Sequence, residues 1–184
     1  MILENYQTAR LKLRSVTLSD KPLIMELFSG KVATAATQNL SGSGPSEPFV
    51  ATWIDQQAKR YEELGAGLCI IELRDSRQVV GTCGLVRQFV DGIPKWEVNY
   101  HLLPRFWGQG FATEAAKACR NACFKAEMAE TLISIIHPEN KKSQAVAHRI
   151  GMTFWKNTVF KGAPAQVFRI RREEWEALLQ VNRV

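Results

Sequence analysis

Leu11, Leu13 and Val16 interleave with Arg10, Lys12 and Arg14, a pattern that predicts a first strand. Asp20 then stands where a helix cap belongs, ahead of Leu23, Ile24, Leu27 and Phe28 at helical spacing. The stretch from Gly30 to Pro48, with SGSGPSEP towards its end, reads as a loop, either a plain connector or one wall of a binding site. A second helix is expected from about Val50 to Leu64, carrying Trp53, Ile54, Gln57 and Tyr61. LCIIEL at 68–73 and VVGTCGLV at 79–86 flank a polar RDSRQ turn and predict a hairpin. After a DGIP turn at 91–94, Trp96, Val98, Tyr100 and Leu102 alternate with Glu97, Asn99 and His101, which is a strand pattern. From Gly110 the period becomes helical, with Phe111, Ala115, Ala118, Ala122 and Ala126 on one face and Cys119 and Cys123 beside them. Thr131–His137 predicts a further strand, Ser143–Ile150 a short helix, and Thr153–Phe160 and Gln166–Ile170 the last strands. The order is mixed α/β around one central sheet.

Composition narrows this picture without redirecting it. A chain of 184 residues suits one core better than two, so residues 1–184 are read as a single domain. No apolar run approaches the roughly 20 residues of a membrane-spanning helix. The N-terminal MILENYQTAR lacks the basic-then-apolar order of a secretory signal, so a cytoplasmic protein is expected. Cys69, Cys83, Cys119 and Cys123 lie in apolar segments, without C-x-x-C spacing or a histidine cluster, and read as reduced core thiols. His101, His137 and His148 are scattered, so no metal is expected. The net charge of +6 is spread along the chain without an aromatic-basic RNA signature. It suits a protein that binds an anionic cofactor and gives no reason to expect direct nucleic-acid binding.

The chemistry concentrates in NYHLLPRFWGQGFATEAAKA, residues 99–118, where a strand passes through a glycine-containing turn into an amphipathic helix. Gly108 and Gly110 let the backbone turn tightly, and the first helical turn offers unpaired N–H groups at the positive end of a macrodipole. That combination suits a pyrophosphate, although glycines also make plain strand-to-helix connections. No G-K-[ST] follows, so it is not a Walker loop.

With its flanks, this segment resembles the coenzyme A-binding signature of the GNAT superfamily of N-acetyltransferases. The pattern Q/R-x-x-G-x-G/A stands here as Trp107-Gly108-Gln109-Gly110-Phe111-Ala112, with Trp107 in place of the usual Gln or Arg. This departure resembles the branch containing ribosomal-protein alanine and serine N-acetyltransferases. RLKLRSVTLSD at 10–20, VVGTCGL at 79–85, WEVNYHL at 96–102, Asn140-Lys141-Lys142-Ser143 with Ile150-Gly151-Met152, and FRIRREEW at 168–175 as a closing strand extend the match along the chain.

The resemblance implies a GNAT-like domain with a central mixed, mostly antiparallel twisted sheet of about six to seven strands flanked by helices. Its fourth strand bulges and splays from the fifth, opening a cleft. Acetyl-coenzyme A is the implied cosubstrate. Leu102 would offer its N–H to the thioester carbonyl, with Leu103 beside it in contact with the cofactor. The amides of Gly108, Gln109, Gly110, Phe111 and Ala112, with the Thr113 hydroxyl, would hold the pyrophosphate. Asn140 would bond the pantetheine amide or cap the helix that follows. Ser143 would stand near the departing sulfur, or else be a first-turn helix serine. Glu97, pointing away from Trp96 and Val98, is the candidate base or a solvated or salt-bridged strand carboxylate. The acceptor would be a primary amine, either a protein N-terminus or a small molecule, and no membrane partner is implied. The alternative is a non-catalytic acyl-coenzyme A-binding module. Oligomeric state stays open, a homodimer being one option.

Overall fold

A computed structural model describes residues 1–29 and 45–181. In chain order the elements are β1 (Leu11–Ser15), a 3-10 turn (Leu18–Asp20), α1 (Lys21–Ser29), α2 (Glu47–Leu64), β2 (Leu68–Leu73), β3 (Val79–Val90), β4 (Ile93–Leu102), a second 3-10 turn (Pro104–Phe106), α3 (Phe111–Lys125), β5 (Thr131–Ile136), α4 (Lys141–Arg149), β6 (Thr153–Phe160), β7 (Ala163–Arg171) and α5 (Arg172–Val181). The strands form one sheet in the order β1-β2-β3-β4-β5-β7-β6, antiparallel except where β4 meets β5. Among the described residues no helix is long and apolar enough to cross a membrane.

Several boundaries differ from the sequence reading. Asp20 closes a 3-10 turn instead of capping α1: its carboxylate turns back to accept from the Thr17 N–H at 2.8 Å and pairs with Arg14 at 2.7 Å. Pro48 belongs to the first turn of α2, whose N-cap is Ser46, so the helix starts ahead of Val50. The rest of the expected loop, residues 30–44, lies outside the described residues. The β3–β4 turn is confined to Asp91-Gly92, both left-handed, and Ile93 and Pro94 already pair in β4. Ala126 is the C-cap of α3 and is exposed, so the apolar face ends at Phe124. The 168–175 segment is strand only to Arg171; Arg172 opens α5, whose Trp175 stacks on Phe124 of α3 with ring centroids 5.3 Å apart.

Strand alternation assigns the helices to faces. Phe28 of α1 meets the His101 ring edge-on at 6.2 Å, which puts α1 on the face to which Glu97, Asn99 and His101 point. Cys83, opposite Tyr100 in the β3–β4 ladder, lies 3.4 Å sulfur to sulfur from Cys119 of α3, so α3 covers the other face. The buried Arg120 of α3 donates from Nη1 to the Ile150 carbonyl at 2.6 Å and ties the end of α4 to that same side. All four cysteines are free and buried, as expected of core thiols.

Candidate functional site

The sheet opens between its two parallel strands. β4 and β5 pair along the backbone only at Trp96 with Leu132 and Glu97 with Ile133. Beyond this point side chains replace the ladder: Ser134 Oγ donates to the Val98 carbonyl at 3.1 Å, and the Ile135 N–H donates to Glu97 Oε1 at 3.1 Å. The Glu97 carboxylate thus stands where a backbone acceptor would continue the pairing, and a cleft of about 410 Å³ opens beside it. The β3–β4 ladder holds one register from Gly81 with Leu102 to Val90 with Ile93. The splay therefore forms without the bulge that the resemblance implies.

That register also orients the Leu102 amide. The Leu103 N–H donates to the Val80 carbonyl at 3.0 Å, and bonded and non-bonded pairs alternate along an antiparallel ladder. Leu102 opposite Gly81 is hence a non-bonded position whose backbone groups point away from β3, towards the β5 side of the strand. Trp107 Nε1 takes the Leu102 carbonyl at 2.8 Å, and this gives the unusual tryptophan a local function: it fastens the glycine turn to the end of β4. Leu103 has no such freedom. Its N–H serves Val80, its carbonyl accepts from the Phe106 N–H at 2.9 Å and its side chain is buried, so the expected cofactor contact there has no free polar group.

Gly108 and Gly110 have φ of 77° and 82°, both left-handed. Gly110 is the N-cap of α3 and brings no side chain to it. The first intrahelical bond runs from the Glu114 N–H to the Gly110 carbonyl at 3.0 Å, so the amides of Phe111, Ala112 and Thr113 have no helical acceptor. Lys142 of α4 lies 4.6 Å over the Trp107 ring, while Arg10, 4.4 Å over the Phe111 ring, donates to the Gln109 carbonyl at 3.0 Å and pairs with Glu114 of the first α3 turn at 2.6 Å. Across the cleft, Asn140 caps α4 by accepting from the Ser143 N–H at 3.0 Å, and the Tyr100 hydroxyl donates to the Ser143 carbonyl at 3.3 Å. Asn140, Ser143 and Tyr100 all line the cleft. The free amides, the left-handed turn and the nearby Lys142 ammonium fit a pyrophosphate-bearing ligand.

Residues 10–153 match the acetyltransferase (GNAT) domain family. The chain belongs to the GNAT acetyltransferase family. The Bacillus subtilis protein YkkB is 31% identical over 116 residues, 63% of this chain and 67% of that protein. An acetyltransferase from Agrobacterium tumefaciens, known from a crystal structure, is 26% identical with a TM-score of 0.73, covering 91% of this chain and 94% of that one. RimL, a ribosomal alpha-N-protein acetyltransferase solved in complex with coenzyme A, has a TM-score of 0.74 at 15% identity over 91% and 97% of the two chains, a likeness of fold alone. This GNAT chain is accordingly an N-acetyltransferase, from a family that uses acetyl-coenzyme A.

In this GNAT enzyme the cleft joins the two faces of the sheet. Tyr100 and Ser143 line it on the α3 side, while Glu97, Asn99 and His101, with Phe160 and Lys161 of the β6–β7 hairpin, line it on the other. Burial pushes the Glu97 carboxyl up to about 7, against the Ile135 N–H and the Gln88 and Asn99 side chains, which favour its charged form. A carboxyl poised there can take and release a proton near neutral pH. Burial pushes His101 down to about 4, so its ring is neutral, and it raises the Tyr100 phenol. The sequence reading missed Tyr100, Arg10 and Lys142 as neighbours of the site. Tyr100 reads as one apolar position among four, and the two cations lie far along the chain from the ring each one covers.

The titration of Glu97 has a consequence for stability. The fold favours the protonated carboxyl, so its contribution is fully present below the ordinary 4.5 and is lost as pH rises through about 7. Glu97→Gln keeps an acceptor for the Ile135 N–H without burying charge. Its stability advantage over wild type should be on the order of 3 kcal/mol at pH 8 and vanish near pH 4.5. Urea unfolding at the two pH values checks it.

Proposed function

We propose that this enzyme transfers acetyl from acetyl-coenzyme A to a primary amine, on a protein N-terminus or a small molecule, by direct attack within a ternary complex in the β4–β5 cleft. The observation that carries this reading is a single cleft with a near-neutral buried carboxyl on one face and a serine hydroxyl residue on the other. Acetyl-coenzyme A supplies an activated thioester. Glu97 takes a proton from the acceptor amine, directly or through water, because an ammonium has no lone pair with which to attack. The outward Leu102 N–H meets the carbonyl oxygen as negative charge builds on it. Ser143 donates a hydrogen bond towards the leaving sulfur. Asn140, already fixed as a helix cap, uses its remaining amide protons on the pantetheine arm. The amides of Gly108, Gln109, Gly110, Phe111 and Ala112, with the Thr113 hydroxyl, hold the pyrophosphate.

A thiol nucleophile is unsupported, since burial pushes Cys123 up to about 12 and raises Cys69, while the contact with Cys83 and then burial raise Cys119. Direct transfer needs no covalent acetyl-enzyme. For Ser143→Ala the expected result is a fall in kcat on the order of tenfold with the acetyl-coenzyme A dissociation constant nearly unchanged, because support of the leaving group belongs to the transition state. Single-turnover kinetics beside calorimetry test this. A wild-type rate for the chemical step would leave Ser143 as only a helix residue.

A further inference from the structure

Among the described residues, three buried side-chain polar atoms have no hydrogen-bond partner: Glu97 Oε2, Asn99 Oδ1 and His101 Nδ1. They come from alternate residues of β4, so they share one face, and successive members are about 7 Å apart along the strand. All three residues line the cleft, and Glu97 and His101 are 3% and 5% exposed. Buried polar atoms are normally paired, and leaving one unpaired costs stability. Three in a row beside an open cleft point to a ligand that completes them.

The chemistry of the row restricts that ligand. Asn99 Oδ1 is an acceptor without a donor, so the group that completes it must donate a hydrogen bond. His101 stays neutral at physiological pH, so its Nδ1 takes a partner that can donate or accept according to tautomer. The cation on this side of the rim is Lys161, over the Phe160 ring at 5.4 Å, and it opposes a second positive charge. Glu139, the other carboxylate of the lining, is exposed on the opposite wall, in the β5–α4 turn.

We propose that Asn99 and His101 are specificity-determining residues that select an acceptor amine whose neighbouring group is uncharged and hydrogen-bonding, an amide or a hydroxyl, in preference to a polyamine. This rests on the acetyl-transfer reading for the position of the reacting nitrogen at Glu97. The amine nitrogen lies at Glu97, and the next group along the acceptor donates to Asn99 Oδ1 and meets His101 Nδ1. Peptide amides and amino-alcohol or amino-sugar hydroxyls share this chemistry.

The test pairs alaninamide, a dipeptide amide, an amino sugar, butylamine and a linear triamine as acceptors, with wild type, Asn99→Leu and His101→Leu. Turnover is read alongside calorimetric binding of each amine to the coenzyme A-loaded protein. Wild type should favour one of the amide or hydroxyl compounds over butylamine and the triamine by tenfold or more, the preferred compound telling amide from hydroxyl. Either variant should lose most of that preference; His101→Leu should keep butylamine turnover within about threefold, whereas Asn99→Leu, which also removes a group favouring the charged form of Glu97, should slow all the amines alike. His101→Leu should also melt at or above the wild-type temperature, because it removes an unpaired buried atom, whereas a merely structural role predicts a lower one. A preference for the triamine, or a preference that survives both substitutions, overturns the proposal. Selective binding without turnover would instead overturn the acetyl-transfer reading and leave the specificity row standing. Should Leu destabilise the fold at position 99, Asn99→Ser, which keeps a hydroxyl but shortens the reach, is expected to weaken the same preference.

Discussion

Glu97→Gln is expected to lower kcat by on the order of a hundredfold near neutral pH and to recover as pH rises. General-base removal commonly costs at least that much. Glutamine preserves the length of the side chain and an acceptor for the Ile135 N–H at Oε1, so the splay between β4 and β5 should persist. It cannot take the proton, and the variant must use amine already deprotonated by solvent. An aliphatic amine has a pKa of roughly 10 and a peptide N-terminus one of roughly 8, so rescue should begin at lower pH for an N-terminal acceptor. Wild type, by contrast, should gain activity as pH passes through about 7, where Glu97 ionises. Parallel pH profiles at equal rates for the two proteins would remove Glu97 from the base role and favour a water chain to bulk solvent.

Gly110→Val should raise the acetyl-coenzyme A dissociation constant by at least tenfold. With φ at 82°, Gly110 occupies a left-handed conformation that a β-branched residue avoids at a cost of about 1–3 kcal/mol. The neighbouring atoms do not forbid the side chain, since a Cβ there would meet only Arg10 Nη2, at 3.4 Å. The penalty is therefore borne by the backbone that presents the Phe111, Ala112 and Thr113 amides, which must rotate out of line or absorb the strain. Gly110→Asn separates the two, because asparagine tolerates this conformation while still adding a Cβ on the approach to phosphate. Calorimetry on the folded variants reads the outcome. Unchanged affinity in Gly110→Val would sink the pyrophosphate assignment.

Local pattern made most of the fold legible. Apolar runs and alternation located all seven strands, and the Phe111–Lys125 helix followed from its spacing of alanines and cysteines. Ends were less legible, because they depend on partners distant in sequence. Asp20 looks like a cap until Arg14 claims its carboxylate, and Arg172 looks like strand until it donates to the Phe124 carbonyl at 2.8 Å and α5 docks on α3. The glycine turn and the Asn140 cap were visible as motifs, since each function is written in a few consecutive residues. The two-sided character of the cleft was not. It arises because the Glu97 and Ser134 side chains replace a backbone ladder, an arrangement that strand periodicity cannot express. Leu102 and Leu103 show the same limit: adjacent apolar residues, one with its amide turned outward and one with both backbone groups engaged, distinguished only by register.

Initial rates measured over a grid of acetyl-coenzyme A and amine concentrations test direct transfer in a ternary complex most directly, with mass spectrometry of the enzyme after incubation with acetyl-coenzyme A alone. Converging double-reciprocal lines and an unmodified enzyme are the predicted result. Parallel lines together with an acetylated enzyme would contradict it.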